Sequence, residues 1–234
     1  MISALLDKIV QRNQVILTVS SSSSYKGKDY RVSPAAYEAP SIMWRSKGND
    51  VLIRIREFIT HNTAPVFSAR FSTLIRPGNR VILDLRGCSG GDLYEALEIA
   101  GMFVTAGLPL AKAYDRNGVV KIYKSPIGQK LKSPNWILID NKTASSAEII
   151  AGILQYYHLS IVVGEKSYGK CLSQTLFPLS DGGVLWLTTL DVRFPDNCSC
   201  TGRGVKPDIS YPDISVASMT EISWKMNTEI PFSH

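Results

Sequence analysis

Val81-Ile-Leu-Asp-Leu-Arg-Gly-Cys-Ser-Gly-Gly91 is the stretch on which the fold turns. Val81–Leu85 is an apolar run closed by Arg86-Gly87, the pattern of a strand buried on both faces of a parallel sheet. Gly90-Gly91 starts a turn into a helix, because Leu93, Ala96, Leu97, Ala100 and Phe103 recur at helical spacing. Buried strand, glycine turn and amphipathic helix in succession make one unit of an α/β layered protein. Glycines at such a junction let backbone approach a ligand closely, and free N–H groups at a helix start attract negative charge. Taken alone, the double glycine is equally an ordinary tight turn.

The same order recurs downstream. Trp136–Ile139 reads as a second buried strand, Asp140-Asn141-Lys142 as a turn, and Ser145 to about Tyr157 as a helix with Ile149, Ile150, Ile153 and Leu154 facing a core. Ile161–Val163 is a third buried strand, and Val184–Thr189 alternates like an antiparallel strand after the hairpin turn Asp181-Gly182-Gly183. Upstream, Asp50–Phe58 alternates as a half-buried strand and Thr63–Ile75 reads as helix. Residues 1–13 pattern as an amphipathic helix, Val15–Val19 as a short apolar run, and about 20–40 as a polar, Pro/Ser-rich loop or linker. The expected organisation is a small N-terminal helix, strand and linker over 1–45, followed by one α/β domain with a largely parallel sheet over 46–234.

At 234 residues, 44% hydrophobic and 20% charged, the chain can bury a core without staples. The net charge of +6 is spread along the chain with no basic run interleaved with aromatics, so no nucleic-acid partner is expected. No stretch approaches the roughly eighteen apolar residues of a membrane span. The opening MISALLDKIVQRNQVILTV is interrupted by Asp7, Lys8, Gln11 and Arg12 and does not read as a secretory signal. The expected location is cytoplasmic, or exported if a leader has been removed. Four cysteines, Cys88, Cys171, Cys198 and Cys200, are then free thiols by default, with a disulfide left open for an exported chain. Cys198-Ser-Cys200 is too tight for ordinary zinc spacing and no second Cys/His pair is near, so neither metal nor cofactor is expected.

Two further segments carry chemistry. In Thr143-Ala-Ser-Ser-Ala-Glu148, Ser145-x-x-Glu148 is a capping box that needs no catalytic role. A serine at a helix N-terminus after a sharp turn is also a good place for a nucleophile, since the helix dipole and the Ser146 N–H favour an oxyanion there. Gly164-Glu-Lys-Ser-Tyr-Gly-Lys-Cys-Leu-Ser-Gln174 then sets a lysine between a glycine and an apolar stretch. The three histidines, His61, His158 and His234, lie in no motif resembling a Ser-His-Asp triad.

DLRGCSGG, SSAE and GKCLSQ occur in that order, followed by DGGVLWLTT at 181–189 and GRGVKPD at 202–208. Together they resemble the S41 family of serine peptidases, the tail-specific or C-terminal processing proteases, over about residues 50–215. The resemblance implies a ClpP/crotonase-like α/β core of stacked ββα units with the site at helix N-termini. It implies Ser145 as nucleophile, Lys170 as general base, Gln174 as a residue that orients the base, and Glu148 as a support of the site. It places the oxyanion hole at the backbone N–H groups of Gly91 and Ser146. The implied activity is endopeptidase cleavage through an acyl-enzyme, of a peptide or unfolded protein, by a dedicated intracellular processing protease. A catalytically weak peptide-binding protein on the same scaffold is the alternative, and homo-oligomerisation is left open. An acyl-CoA enzyme on a similar core would have no need of the lysine.

The chain departs from the family pattern in three places. Cys88 stands where the family has asparagine, which leaves the glycine turn less braced and offers a redox-sensitive group. Ser146 follows the nucleophile where relatives often have alanine, making it the second candidate for the reactive serine. Residues 20–45 are too few for the PDZ domain of roughly a hundred residues that relatives carry before the catalytic core. A lysine takes a proton only when neutral, so burial of Lys170 among apolar groups is expected to disfavour its ammonium form.

Overall fold

A computed structural model describes residues 15–19, 28–32, 40–126 and 131–211. The helix read over residues 1–13 lies outside the described residues. The chain divides into two units, Met1–Ala39 and Pro40–His234. In the first, β1 (Val15–Val19) pairs antiparallel with β2 (Lys28–Val32). Residues 28–32 therefore form a strand where the sequence reading had linker. Tyr30 and Val32 are strand formers in alternation with Asp29 and Arg31, a signal drowned by the serines, glycine and prolines around it.

The second unit begins earlier than expected. β3 (Ile42–Lys47) and β4 (Asp50–Ile55) form an antiparallel hairpin, so the segment before residue 46 belongs to the main sheet. Next come α1 (Thr63–Leu74), β5 (Arg80–Asp84), α2 (Leu93–Gly101), β6 (Pro109–Asp115) and β7 (Gly118–Lys124). β8 (Trp136–Ile139), α3 (Ser146–Tyr156), β9 (Ile161–Gly164), β10 (Leu172–Pro178), β11 (Val184–Arg193) and β12 (Ile209–Ser210) complete it.

Two sheets result, giving a mixed α/β fold. One has six strands in the order β12-β9-β8-β5-β4-β3, parallel throughout except for β3. The other is antiparallel, in the order β10-β11-β6-β7. β6, β7 and β10 were not read from sequence, because Pro109, Gly118 and Pro178 and the mixed polar composition of these strands hide their alternation.

The helices pack on one face of the six-stranded sheet. Ile53, Ile55, Leu83, Ile137 and Ile139 from the strands meet Phe67, Phe71, Ile99, Ile150 and Ile153 from the helices, all fully buried. Thr63, Ala64, Phe67 and Phe71 recur at the helical period, so α1 buries one stripe. Each phenylalanine removed from water contributes about 1.5–3 kcal/mol. Buried Glu95 of α2 caps α1 by accepting from the N–H groups of His61 at 2.7 Å and Ala64 at 2.6 Å. A carboxylate at that end complements the helix dipole and fixes α1 against α2. These contacts make a rigid base for the loops at the C-terminal ends of β5, β8 and β9.

Candidate active site

Those three loops are tied together at their roots. Asp140, buried at the end of β8, accepts through one carboxylate oxygen from the N–H groups of Gly87 at 3.0 Å, Lys142 at 3.0 Å and Thr143 at 2.9 Å. The Thr143 hydroxyl reaches across to the Leu85 carbonyl at 3.0 Å, and the Ala144 N–H to that of Cys88 at 2.9 Å. Asp84 and Arg86 form a buried bidentate ion pair beneath them. The turn after β5 and the turn after β8 are thus one body.

Their closest approach is at a glycine. A Cβ on Gly90 would sit 2.7 Å from the Ser145 Cβ, and Gly90 has φ of +100°, so no other residue fits there. Ser145 itself has φ of 56° and ψ of −123°. Such a backbone costs a non-glycine residue of order 1–3 kcal/mol and is kept only where the surroundings impose it. The result is a sharp strand-to-helix turn that carries Ser145 into a cleft at the N-terminus of α3, with its side chain partly exposed.

The cleft has a volume of about 630 Å³. Ser145, Ser146, Gly91, Lys170 and Gln174 all line it, so five of the six candidate residues meet at one place. Ser146 is the first residue of α3, where an N–H has no intrahelical acceptor. The Gly91 N–H has no acceptor among the described residues. The Ser146 side chain is buried and its hydroxyl donates to the Gly91 carbonyl at 2.8 Å. That bond holds the two residues beside each other and engages the Ser146 hydroxyl, whereas the Ser145 side chain is the more exposed of the two.

Glu148, the sixth candidate, lies beneath the cleft with no solvent exposure. The capping box read from sequence is present, and Glu148 Oε2 accepts the Ser145 N–H at 2.9 Å. The same oxygen accepts the Lys170 N–H at 2.7 Å. Oε1 accepts the Gly169 N–H at 2.7 Å and the Ser167 hydroxyl at 2.5 Å. One carboxylate therefore fixes the backbone of both the candidate nucleophile and the candidate base. Ser167 and Asp140 organise the site but were not read from sequence. Polar residues in loops give no periodic signal, and their role exists only once three distant loops converge.

Two expectations are corrected. Lys170 is exposed, not buried among apolar groups, because the cleft is open to water along β10. No hydrogen bond joins it to Ser145 among the described residues. Cys171 and Cys200 are not free thiols but a disulfide, with their Cα atoms 5.4 Å apart. Cys88 and Cys198 remain free. The Cys88 thiol is pushed up to about 11, chiefly by burial, so it stays protonated and is not a redox-sensitive group. Its backbone still braces the turn, through the Ala144 bond described above and a bond from its own N–H to the Leu85 carbonyl at 3.1 Å. Glu148, Cys171 and Cys200 form a buried cluster of potential metal ligands. The two sulfurs are bonded to each other and the carboxylate already accepts from four donors.

Gln174 sits where the β10–β11 register shifts by a bulge between Ser173 and Gln174. Bulges re-aim side chains, and this one directs Gln174 into the cleft. Leu93, Ile149, Leu190 and Val192 give the cleft apolar walls, and Trp186, 60% exposed, stands at its rim. Among the described residues no helix is long and apolar enough to cross a membrane.

A family model for peptidase family S41 matches residues 51–211. A probable CtpA-like serine protease of Staphylococcus epidermidis is 27% identical over 232 residues, an alignment covering 93% of this chain and 45% of that protein. A protein of the same description from Staphylococcus aureus is 28% identical over 227 residues, with the same coverage. The chain thus spans about half the length of the curated relatives it matches. Among solved structures, a photosystem II D1 C-terminal processing protease superposes with a TM-score of 0.72 at 21% identity, over 92% of this chain and 60% of that one. A putative S41 protease from Bacteroides fragilis superposes with a TM-score of 0.59 at 19% identity, over 94% of this chain and 61% of that one. Both likenesses are in the fold.

Proposed function

Because the chain belongs to peptidase family S41, we propose that it is a serine endopeptidase working through a Ser145–Lys170 dyad. The observation that carries this reading is the convergence on one cleft of a strained Ser145, Lys170, Gln174 and the N–H groups of Gly91 and Ser146, which have no acceptor among the described residues. Ser145 Oγ attacks the scissile carbonyl carbon while Lys170 takes its proton. The tetrahedral oxyanion accepts from the Gly91 and Ser146 N–H groups, each such donor being worth about 10²–10³ in kcat. Lys170 returns the proton to the leaving amine, leaving an acyl ester on Ser145. Water, giving a proton to Lys170, then attacks that ester, and Lys170 passes the proton to the departing Ser145 Oγ, which frees both residues. Gln174 steadies Lys170 from the start of β10.

The substrate proposed is an extended peptide or unfolded protein segment. β10 lies at the edge of its sheet and starts two residues beyond Lys170, so a chain laid along it gains backbone hydrogen bonds and passes the dyad. Leu176 and Trp186 are paired across β10 and β11, are exposed, and continue the apolar walls outward. The Cys171–Cys200 disulfide supports an oxidising compartment over the cytoplasm. A processing role towards a particular precursor is part of this proposal.

A second reading, a peptide-binding protein without turnover, draws on the exposed Lys170 that makes no bond to Ser145. Incubation with casein beside Ser145→Ala and Lys170→Ala separates the two, with fragments followed by mass spectrometry. Cleavage lost in both variants supports the dyad. Binding of casein without cleavage, together with failure of a fluorophosphonate to label Ser145, would favour the second reading.

A further inference from the structure

The motif Gly202-Arg-Gly-Val-Lys-Pro-Asp208 has no part in the chemistry above, and its place in the fold gives it one. Residues 167–171 carry Lys170 on a segment between β9 and β10. On one side that segment hangs from Glu148 through Ser167, Gly169 and Lys170. On the other side it lies against the turn Cys200–Val205. The Ser167 N–H donates to the Val205 carbonyl at 3.1 Å, the Val205 N–H to Ser167 Oγ at 2.6 Å, and the Gly202 N–H to the Gly169 carbonyl at 3.0 Å. The Cys171–Cys200 disulfide closes the pair covalently.

Contact this close requires glycine on both sides. A Cβ on Gly169 would lie 2.9 Å from the Gly204 nitrogen, and one on Gly204 would strike the Ser167 carbonyl. Both have positive φ, +96° and +70°. The turn is itself stiff, since the Arg203 and Gly204 N–H groups both donate to the Cys200 carbonyl, at 2.9 and 2.8 Å. It is anchored beyond its far end by Asp208, which accepts from the Val162 N–H and the Gln155 side chain, both at 2.8 Å.

We propose that this turn is the positioning device for the base, with Ser167 and the Cys171–Cys200 disulfide as its two fasteners. Ser167 is pivotal because its single oxygen accepts from the turn and donates to Glu148. Removing it takes away the one side-chain hydrogen bond between segment and turn and frees one of the four acceptor sites of Glu148, leaving the backbone bonds and the disulfide to hold the rest. The disulfide sulfurs lie within 4.8 Å of the Glu148 carboxylate. Two-electron reduction by a dithiol converts the bond to two thiols, with oxidation of the reductant to its own disulfide. Each thiol then carries an S–H donor beside a carboxylate whose acceptor sites are already taken, and the covalent fastener is gone. Ser167 and Cys200 do not line the cleft, and Cys171, which does, is held in the disulfide with no thiol to react, so both fasteners act through Lys170.

This inference rests on the dyad reading, and the test separates the two. The rate of Ser145 labelling by a fluorophosphonate and the kcat and KM for a peptide are measured against pH. The proteins compared are wild type, Ser167→Ala, Cys171→Ala/Cys200→Ala, and wild type reduced with dithiothreitol then reoxidised. Expected are folded variants with kcat down about tenfold or more, KM within about twofold, and a displaced pH profile. Reduction should reproduce the loss and reoxidation restore it. Combining Ser167→Ala with the cysteine pair should cost less than the product of the separate losses, because both hold one segment. Labelling of wild type at Ser145 with unchanged kcat and pH profile in both variants would overturn the positioning role alone. Absence of labelling in the wild type would remove the dyad reading and this inference together. If Ser167→Ala does not fold, reduction of the wild type decides by the same criteria.

Discussion

Replacing Glu148 by glutamine is the most demanding single perturbation of this site. The carboxylate is unexposed and accepts four hydrogen bonds, two on each oxygen. Glutamine has the same shape but one acceptor oxygen. Its better orientation puts that oxygen toward the Ser145 and Lys170 N–H groups and the amide NH2 toward Ser167 and Gly169. The Ser167 hydroxyl can rotate to accept, but the Gly169 N–H then faces a donor. A buried N–H left without an acceptor costs about 1–3 kcal/mol. The two bonds kept become neutral ones, at a loss of roughly 1 kcal/mol each. The sum is about 3–5 kcal/mol. For a chain of this size that lowers Tm by roughly 6–20 °C. Working against this, glutamine avoids burying a charge, which can be worth several kcal/mol where a charge is poorly solvated. Four donors solvate this one well, so the destabilisation is expected to win. Urea denaturation of Glu148→Gln beside wild type measures it as a fall in midpoint at constant m. A variant as stable as wild type, or more so, would refute the reasoning, because the four bonds would then be worth no more than the cost of burying the charge.

Two further outcomes follow from geometry. Ser145→Gly should relieve a backbone strain of about 1–3 kcal/mol while losing only a few tenths as an N-cap, so Tm should rise by a few degrees as Ser145 labelling disappears. A Tm unchanged or lower in calorimetry would mean that the turn is not strained. The Cys88 thiol, held up to about 11 by burial, ionises only when the pH climbs through that range. Iodoacetamide at pH 8 should therefore alkylate exposed Cys198 and leave Cys88 unmodified in a peptide map, and the reverse order would contradict the fold at that turn.

Much of the frame was legible because its signals are local. The buried strands around Val81–Leu85, Trp136–Ile139 and Ile161–Val163 are runs too apolar and too short for anything else. Leu93 to Phe103 and Ile149 to Leu154 announce their helices by period. Each junction then falls where a strand ends, and five of the six candidate residues line one cleft. What was not legible is relational. Ser167 looks like any loop serine until Val205 and Glu148 close on it from two sides. Cys171 and Cys200 are separated by 29 residues, and nothing short of the three-dimensional course of β10 and β11 brings them together. β6, β7 and β10 belong to the β10-β11-β6-β7 sheet, and β10 is exposed on both faces from Gln174 onward, so their residues do not sort cleanly into apolar and polar.

The exposure of Lys170 bears most directly on how such a site would work. Burial is spent here on Glu148, which fixes the backbones of Ser145 and Lys170, and not on the lysine side chain. A lysine accepts a proton from serine only when its neutral form is favoured, and removing water from around it does that. Among the described residues nothing supplies that cover, and under the proposed dyad a bound substrate would. A peptide laid along the β10 edge would pass over Lys170 and rest against Leu176 and Trp186. Binding energy gathered well away from the scissile bond would then appear in the chemical step, and not only in affinity. Peptides long enough to reach Trp186 should show a higher kcat than peptides truncated to the residues flanking the cleavage site. Trp186→Ala should bring long peptides down toward the short ones. If length and Trp186 change KM alone, the substrate does not cover the base, and Lys170 must be dried by a movement of the chain itself.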